Sequence, residues 1–431
     1  MGLLAWAFAS VARRSDTTVS VNWLTGWLLI VFHFFAFMCA PLSGFTGIVF
    51  DFLGVLTLVW AGLLFARASV PYRKSKSSMA MAFALLGSYT FYLAVLMLNT
   101  GTPPRLPLMF AAALLGVAPL AVALATVSKL THFLRWATIV LHGALSVLLL
   151  AVQNRPNGGD IALNAILFTV YLVAAIHFWH MYRRRTAGAI ITLVGFFLWA
   201  NVFTVAPSLA IWYSQLHLES EVWNLPKYVV AVGMILVLLE DQIAHNKHLA
   251  LHDALTGLPN RRLFQDRLTS ALERARRTNT QAALLMLDLD HFKQVNDTMG
   301  HHVGDLLLQE VARLFSARIR RSDTIARTGG DEFTVILEGP TSRAEARHVA
   351  RSLLNLLEEP LVLEGRQVHV AASLGVAIFP DDAPDLESLC IQADLRMYDN
   401  KRAGEKRVAI GPISESPVSA SAQRESEAAR Y

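Results

Sequence analysis

Two acidic residues stand at positions where carboxylates could share a divalent cation. Asp288 closes the apolar run Ala282–Leu289, and Asp331 sits in the glycine turn Thr328-Gly329-Gly330-Asp331-Glu332. If the run and the turn belong to neighbouring strands, the two carboxylates meet at one sheet edge, where Mg²⁺ can be held by carboxylates together with a substrate's phosphates. Gly329 and Gly330 carry no side chains, so backbone there can approach a ligand closely. A second constellation is basic. Arg320-Arg321-Ser322-Asp323 lies five residues before Gly329, and arginine offers a planar fork to phosphates and to base edges.

The elements that must position these groups follow from periodicity. Residues from Asn260 to Arg277, Val303 to Arg318, Ser342 to Leu357 and Leu386 to Lys401 carry helical patterns. Ala282 to Leu289 reads as a buried strand and Val368 to Phe379 as another. Thr324 to Arg327 and Phe333 to Leu337 flank the glycines as a β-hairpin. The order αβαββαβα predicts an α+β sandwich, with helices against a largely antiparallel sheet.

The preceding half has a different solvent. Of 431 residues 54% are hydrophobic and only 16% charged, with mean hydropathy +0.42, and the charge deficit lies before Leu239. A helix needs roughly 20 apolar residues to cross a bilayer. Eight runs qualify: Trp23–Ala40, Gly44–Ala66, Met79–Leu98, Leu106–Val127, Trp136–Val152, Ile161–Met181, Ala187–Trp212 and Tyr228–Leu239, the last continuing as helix beyond the membrane. This half is therefore expected to be an all-α transmembrane bundle. Lys and Arg concentrate in cytoplasmic loops. With the N-terminus inside, those loops hold Arg13, Arg14, Arg67, Arg73, Lys74, Lys76, Lys129, Arg135, Arg183, Arg184 and Arg185; the opposite connections hold only Arg105, Arg155 and Lys227. The alternation predicts a cytoplasmic C-terminal half. It also accounts for the net charge of +5 and pI near 9.3 without nucleic acid. Cys39 and Cys390 fall in different halves and indicate no disulfide framework. Met1 to Val11 does not read as a cleavable signal.

Inside the spans, Asp51 is a functional candidate because a buried carboxylate is costly, or it lies near the outer surface. His177 and His180, three apart, are candidate ligands for a metal or haem, or merely face the headgroups. Residues 241–252 read as a helical linker, in which Leu236, Ile243 and Ala250 fall seven apart, as do Val232 and Leu239: a parallel two-helix stalk or an ordinary amphipathic connector. The remaining divisions are 1–240 for the membrane region, 253–410 for the catalytic region and 411–431 for a Ser/Ala/Glu-rich disordered tail.

Gly329-Gly330-Asp331-Glu332-Phe333 resembles the signature of the GGDEF family of diguanylate cyclases, whose fold is similar to the palm of nucleotide polymerases and adenylate cyclases. The same resemblance runs, in order, through Asp253 to Arg262, Asp288 to Lys293, Asn296-Asp297, Gly300-His301, Gly304-Asp305, Ser373 to Ala377 and Ala393-Asp394 to Lys401, about 160 residues in all. It implies condensation of two GTP into cyclic di-GMP by a homodimer with one GTP per protomer. It implies two Mg²⁺ or Mn²⁺ ions on Asp288, the carbonyl of Leu289 and Asp331, with Glu332 orienting or deprotonating the attacking hydroxyl. Asn296 and Asp305 would read guanine. The backbone of His291, Phe292 and Lys293 would meet the phosphates, with Lys401 adding charge. Arg320, Asp323 and Arg351 would bind product as a feedback site. The resemblance further implies a multi-pass protein of the bacterial inner membrane, in contact with lipid, its catalytic domain cytoplasmic. One departure stands out: Glu405 occupies the place of the family's phosphate-binding cation, beside Arg402 and Lys406. That departure keeps open an alternative, a weak or silent domain acting as a cyclic di-GMP receptor.

Overall fold

The computed structural model describes residues 6, 9–10, 18–68, 76–98, 105–125, 132–182, 186–213, 220–339, 342–403 and 408–409. Backbone contacts divide the chain into two compact units, Met1–Ala244 and His245–Tyr431.

Eight helices are long and apolar enough to cross a membrane: α1 (Thr18–Cys39), α2 (Phe45–Ala68), α3 (Lys76–Met97), α4 (Arg105–Ala125), α5 (His132–Val152), α6 (Gly158–Met181) and α7 (Ala187–Trp212) in the first unit, and α8 (Ser220–Leu251), which starts there and ends in the second. Their interior is aromatic. Tyr171 stacks on Trp199 at 3.9 Å between centroids and donates its hydroxyl hydrogen to the carbonyl of Leu58. Small residues bring backbones together where aromatic packing does not. A Cβ on Gly188 would sit 2.6 Å from the amide nitrogen of Val237, and one on Gly233 would sit 2.6 Å from that of Thr192. The last span is 32 residues, longer than the apolar run alone implies, and it starts before Lys227. Arg13, Arg14, Arg73, Lys74, Lys129 and Arg183 to Arg185 lie outside the described residues.

Asp51 stands near the start of α2 with its side chain exposed. His177 and His180 do not converge. His177 is buried; its Nδ1 lies 3.2 Å from the carbonyl of Ala66 and its Nε2 lies 3.1 Å from the hydroxyl oxygen of Thr138, which itself donates to the carbonyl of Leu134. Both ring nitrogens are thus engaged within the bundle. His180 instead stacks on Phe133. Three residues on a helix differ by about 60° in direction, enough to send one imidazole inward and the other to the flank. This pair offers no joint ligand set for a metal or haem.

The second unit contains α9 (Arg261–Thr278), β1 (Ala282–Asp290), α10 (Phe292–Met299), α11 (His301–Arg318), β2 (Thr324–Arg327), β3 (Glu332–Leu337), α12 (Arg343–Asn355), β4 (Leu361–Leu363), β5 (Arg366–Val368), β6 (Ala371–Phe379), α13 (Leu386–Ala403) and β7 (Val408–Ala409). The main sheet runs β2-β3-β1-β6-β7, antiparallel except for the short β6–β7 pair. β1 is central and covered on both faces. Ala283, Leu285, Leu287 and Leu289 join the core beneath α11 and α12, while Ala282 and Leu284 join the core beneath α9 and α13. Double coverage explains why the strand reads as a continuous apolar run instead of alternating. It also sends Asp288, an even-numbered residue, towards the α9–α13 side. The stretch expected as one strand from Val368 is two elements: Val368 ends β5, which a turn at Glu364 and Gly365 (φ 48° and 78°) joins to β4, and β6 starts at Ala371.

Candidate functional site

The acidic groups meet where three strands end together. In register, Asp288 of β1 faces Glu332 of β3 on one side and Ser373 of β6 on the other. The amide of Leu289 donates to the carbonyl of Asp331 (3.2 Å), which ties the strand end to the glycine turn. The carboxylates therefore crowd. Burial pushes the Glu332 carboxyl above its ordinary range, and the charges of Asp288, Asp331 and Asp394 add to it against Arg261. Burial likewise raises the Asp288 carboxyl, against the hydrogen bond and charge of Lys401 and with Asp331 and Asp290 adding to the rise. Lys401, on α13, sits 2.5 Å from Asp288 Oδ1. Burial lowers its pKa, but Asp288, Asp331 and Asp290 together hold it above the usual value.

This site is built for positive charge. Among the described residues no three His, Cys, Asp or Glu side chains form a self-sufficient metal cage. Two carboxylates and a carbonyl are hard oxygen donors, the set with which Mg²⁺ is held when phosphates complete its shell. The residues present fit such an ion. A consequence for stability follows. A raised Glu332 means that the folded chain holds this proton more tightly than the unfolded chain. Its contribution is present below the ordinary glutamate value and is lost as pH rises through the higher folded value. Glu332→Gln is therefore expected to raise the melting temperature of the metal-free protein at pH 7, with little effect at pH 4. A melt that moves equally at both pH values would contradict the crowding.

The two glycines act differently. A Cβ on Gly329 would lie 2.5 Å from Glu332 Oε2, so this position must be bare for Glu332 to fold back over the turn. Gly330 faces open space. Its carbonyl is gripped by Arg327, through Nε (3.0 Å) and Nη2 (2.7 Å), while Nη1 of the same guanidinium meets Asp253 Oδ1 at 2.8 Å. Asp253 in turn accepts from the amide and hydroxyl of Thr256. Arg327 escaped the sequence reading, although the planar fork of an arginine on the strand entering a glycine turn is a recognisable signal.

Asn296, half-buried on α10, lies against the start of α11. A Cβ on Gly304 would come within 1.9 Å of its Oδ1. Gly304 adjoins Asp305, whose side chain is exposed, so the amide and carboxylate flank one corner, turned by Gly300 at φ 87°. His291 caps α10 in the left-handed region (φ 58°), and first-turn amides such as those of Phe292 and Lys293 have no acceptor within the helix. Gly304→Ala should displace Asn296 and leave the fold intact, since the clash falls on the tip of a side chain. We expect about tenfold weaker guanine nucleotide binding with an unchanged melting temperature, read by nucleotide titration and thermal melt. Unaltered affinity would remove Asn296 from the nucleotide contact.

The basic constellation forms its own cavity of about 200 Å³, bordered by Arg318, Arg320, Asp323, Glu345, His348 and Ser352. Asp323 accepts from the amides of Arg320 (3.3 Å) and Glu338 (3.2 Å), and Arg320 Nη1 pairs with Glu345 Oε1 at 2.8 Å. Arg351 is exposed on α12 and does not border this cavity. Glu405 and Lys406 lie outside the described residues, as does the tail from Gly411.

Residues 250–407 match the family described as "Diguanylate cyclase, GGDEF domain". Among curated proteins, the bifunctional diguanylate cyclase/cyclic di-GMP phosphodiesterase MucR of Pseudomonas aeruginosa is 44% identical over 177 residues, 41% of this chain and 25% of that protein. The diguanylate cyclase TpbB of the same species is 39% identical over 174 residues, 40% of each. The chain thus spans between a quarter and two fifths of the length of these relatives. Among solved structures, the GGDEF domain of TpbB is 38% identical, with 37% of this chain and 94% of that one covered at a TM-score of 0.36. The coiled coil and GGDEF domain of DgcB from Caulobacter crescentus, in complex with c-di-GMP, is 27% identical, with 43% and 98% covered at a TM-score of 0.40.

Proposed function

Residues 250–407 being a GGDEF domain carried behind eight helices that can cross a membrane, we propose that this protein is a membrane-bound diguanylate cyclase, joining two GTP into cyclic di-GMP with release of two pyrophosphates. The observation that carries the reading is the register of Asp288 against Glu332, with Asp331 tied to the same strand end.

Magnesium or manganese held by Asp288, Asp331 and the carbonyl of Leu289 would neutralise the triphosphate and lower the pKa of the attacking 3′-hydroxyl. Glu332, its carboxyl raised by burial and neighbouring acids and in register beside Asp288, is placed to take that hydroxyl's proton. Each 3′-oxygen forms a bond to the other nucleotide's α-phosphorus, and the bond to the β-phosphate breaks. Asn296 and Asp305 read guanine; the α10 amides at Phe292 and Lys293, with Lys401, hold phosphates. A single domain binds one GTP, so the reaction needs two chains face to face, a homodimer whose arrangement the membrane region shifts. The catalytic unit faces the cytoplasm, the spans lie in the inner membrane, and Arg320 with Asp323 binds product to restrain synthesis.

The test is direct. Full-length protein in detergent, given GTP and Mg²⁺, should yield cyclic di-GMP by mass spectrometry. Binding of cyclic di-GMP without any synthesis would instead establish a receptor.

A further inference from the structure

The catalytic reading leaves one large cavity unused. It lies in the first unit, where α3 ends, α4 begins and α5 turns into α6, and it encloses about 810 Å³. Ligand sites typically measure about 300–1,000 Å³. Eight helices crossing in alternation put this end opposite the one from which α8 leads to the catalytic unit, hence on the outer face of the membrane. Only for that sidedness does the inference rest on the proposed function.

The wall is divided by polarity. Tyr92, Leu96 and Leu163 supply its apolar part; Arg105 and Arg155, both exposed, and Gln153 supply its polar part. Arg105, at the start of α4, and Arg155, in the turn before α6, stand at an end where Lys and Arg are otherwise sparse in the sequence. Among the described residues neither guanidinium has an acidic partner. Asp160, the one acid on the wall, stands in the first turn of α6, where a helix's own N-terminal charge stabilises it. The side-chain oxygen of Gln153 is buried and receives no hydrogen bond. Two exposed guanidinium forks with no acidic partner among the described residues, a buried acceptor with no donor among them, and an apolar wall describe the complement of one ligand class.

We propose that this cavity binds a phosphate-bearing amphiphile: the phosphate lies against Arg105 and Arg155, a hydroxyl donates to Gln153, and the apolar part rests on Tyr92, Leu96 and Leu163. A glycerophospholipid with an anionic headgroup has all three features. Free glycerol phosphate has the first two and would reach the same groups from the outer solution.

The full chain, reconstituted in nanodiscs of phosphatidylcholine with increasing phosphatidylglycerol, gives the test by native mass spectrometry. Wild type should retain one phosphatidylglycerol per chain, and the Arg105→Gln/Arg155→Gln double variant should hold it at least about tenfold more weakly. Leu96→Trp, which keeps both charges and crowds the apolar wall, should also weaken retention, and a matching thermal melt identifies whichever variant is folded. Repeating the measurement in pure phosphatidylcholine with glycerol 1-phosphate separates the sources. Retention of the free phosphate by wild type alone supports the same site with a soluble occupant. Equal retention of both probes by wild type and a folded variant, or retention of neither by wild type, overturns the proposal. None of these readouts depends on cyclase activity, so a failed synthesis assay and a failed lipid assay remain distinct.

Discussion

Asp331→Ala should abolish cyclic di-GMP synthesis, by about a thousandfold or more, while leaving product binding at Arg320 intact. Position 331 lies in the turn whose backbone is tied to Leu289, next to the register pair Asp288 and Glu332. Removing its carboxylate takes away one of two acidic side chains suited to a divalent ion, and in the proposed mechanism Glu332 is already engaged at the attacking oxygen. Misplacing a metal at a transferring phosphoryl group forfeits several kcal/mol of transition-state stabilisation, and each tenfold in rate corresponds to about 1.4 kcal/mol. The melting temperature of the metal-free variant should hold or rise, because one charge leaves a crowded cluster. Turnover within tenfold of wild type would remove Asp331 from the metal site.

The second large effect concerns restraint. Arg320→Ala should weaken inhibition by product about a hundredfold, the scale of losing a two-pronged contact to phosphate or guanine, with the initial rate unchanged. Arg320 lies outside the strand-end cluster of Asp288, Asp331 and Glu332, and among the described residues its ion-pair partner is Glu345, a largely exposed contact whose loss costs little. Progress curves at increasing cyclic di-GMP settle the matter: an inhibition constant that does not move would show that the cavity at Asp323 serves another purpose.

Much of this was legible in the sequence because each signal was local. The glycine turn, the buried strand before it and the helical periods around it needed no knowledge of distant contacts, and they placed Asp288 at the end of one strand and Asp331 in the hairpin turn of its neighbour, beside the Asp288–Glu332 register pair. What escaped depended on packing. Arg327 reads as a surface residue of a short strand, and only the assembled sheet shows its guanidinium bridging Asp253 and Gly330. α10 has no counterpart among the elements read from periodicity, since eight residues give too few turns for a period to register before Gly300 breaks the run. The bare position at Gly304 acquires its meaning from Asn296, eight residues earlier and on another helix. In the membrane half, hydropathy found the spans, but periodicity alone left open which histidine faces the interior.

Asn260 is worth following one step further. Its Oδ1 accepts from the amides of Arg262 and Leu263 and so starts α9, while its Nδ2 and its own amide donate to the carbonyls of Ala250 and Leu251 at the end of α8. One residue thereby seals the frayed tail of one helix to the raw start of the next. The practical frontier of the catalytic half therefore lies upstream of the signature residues. A soluble fragment cut at Asp253 would strip away both carbonyl anchors and should melt several degrees lower than one cut at His245, which keeps the splice whole.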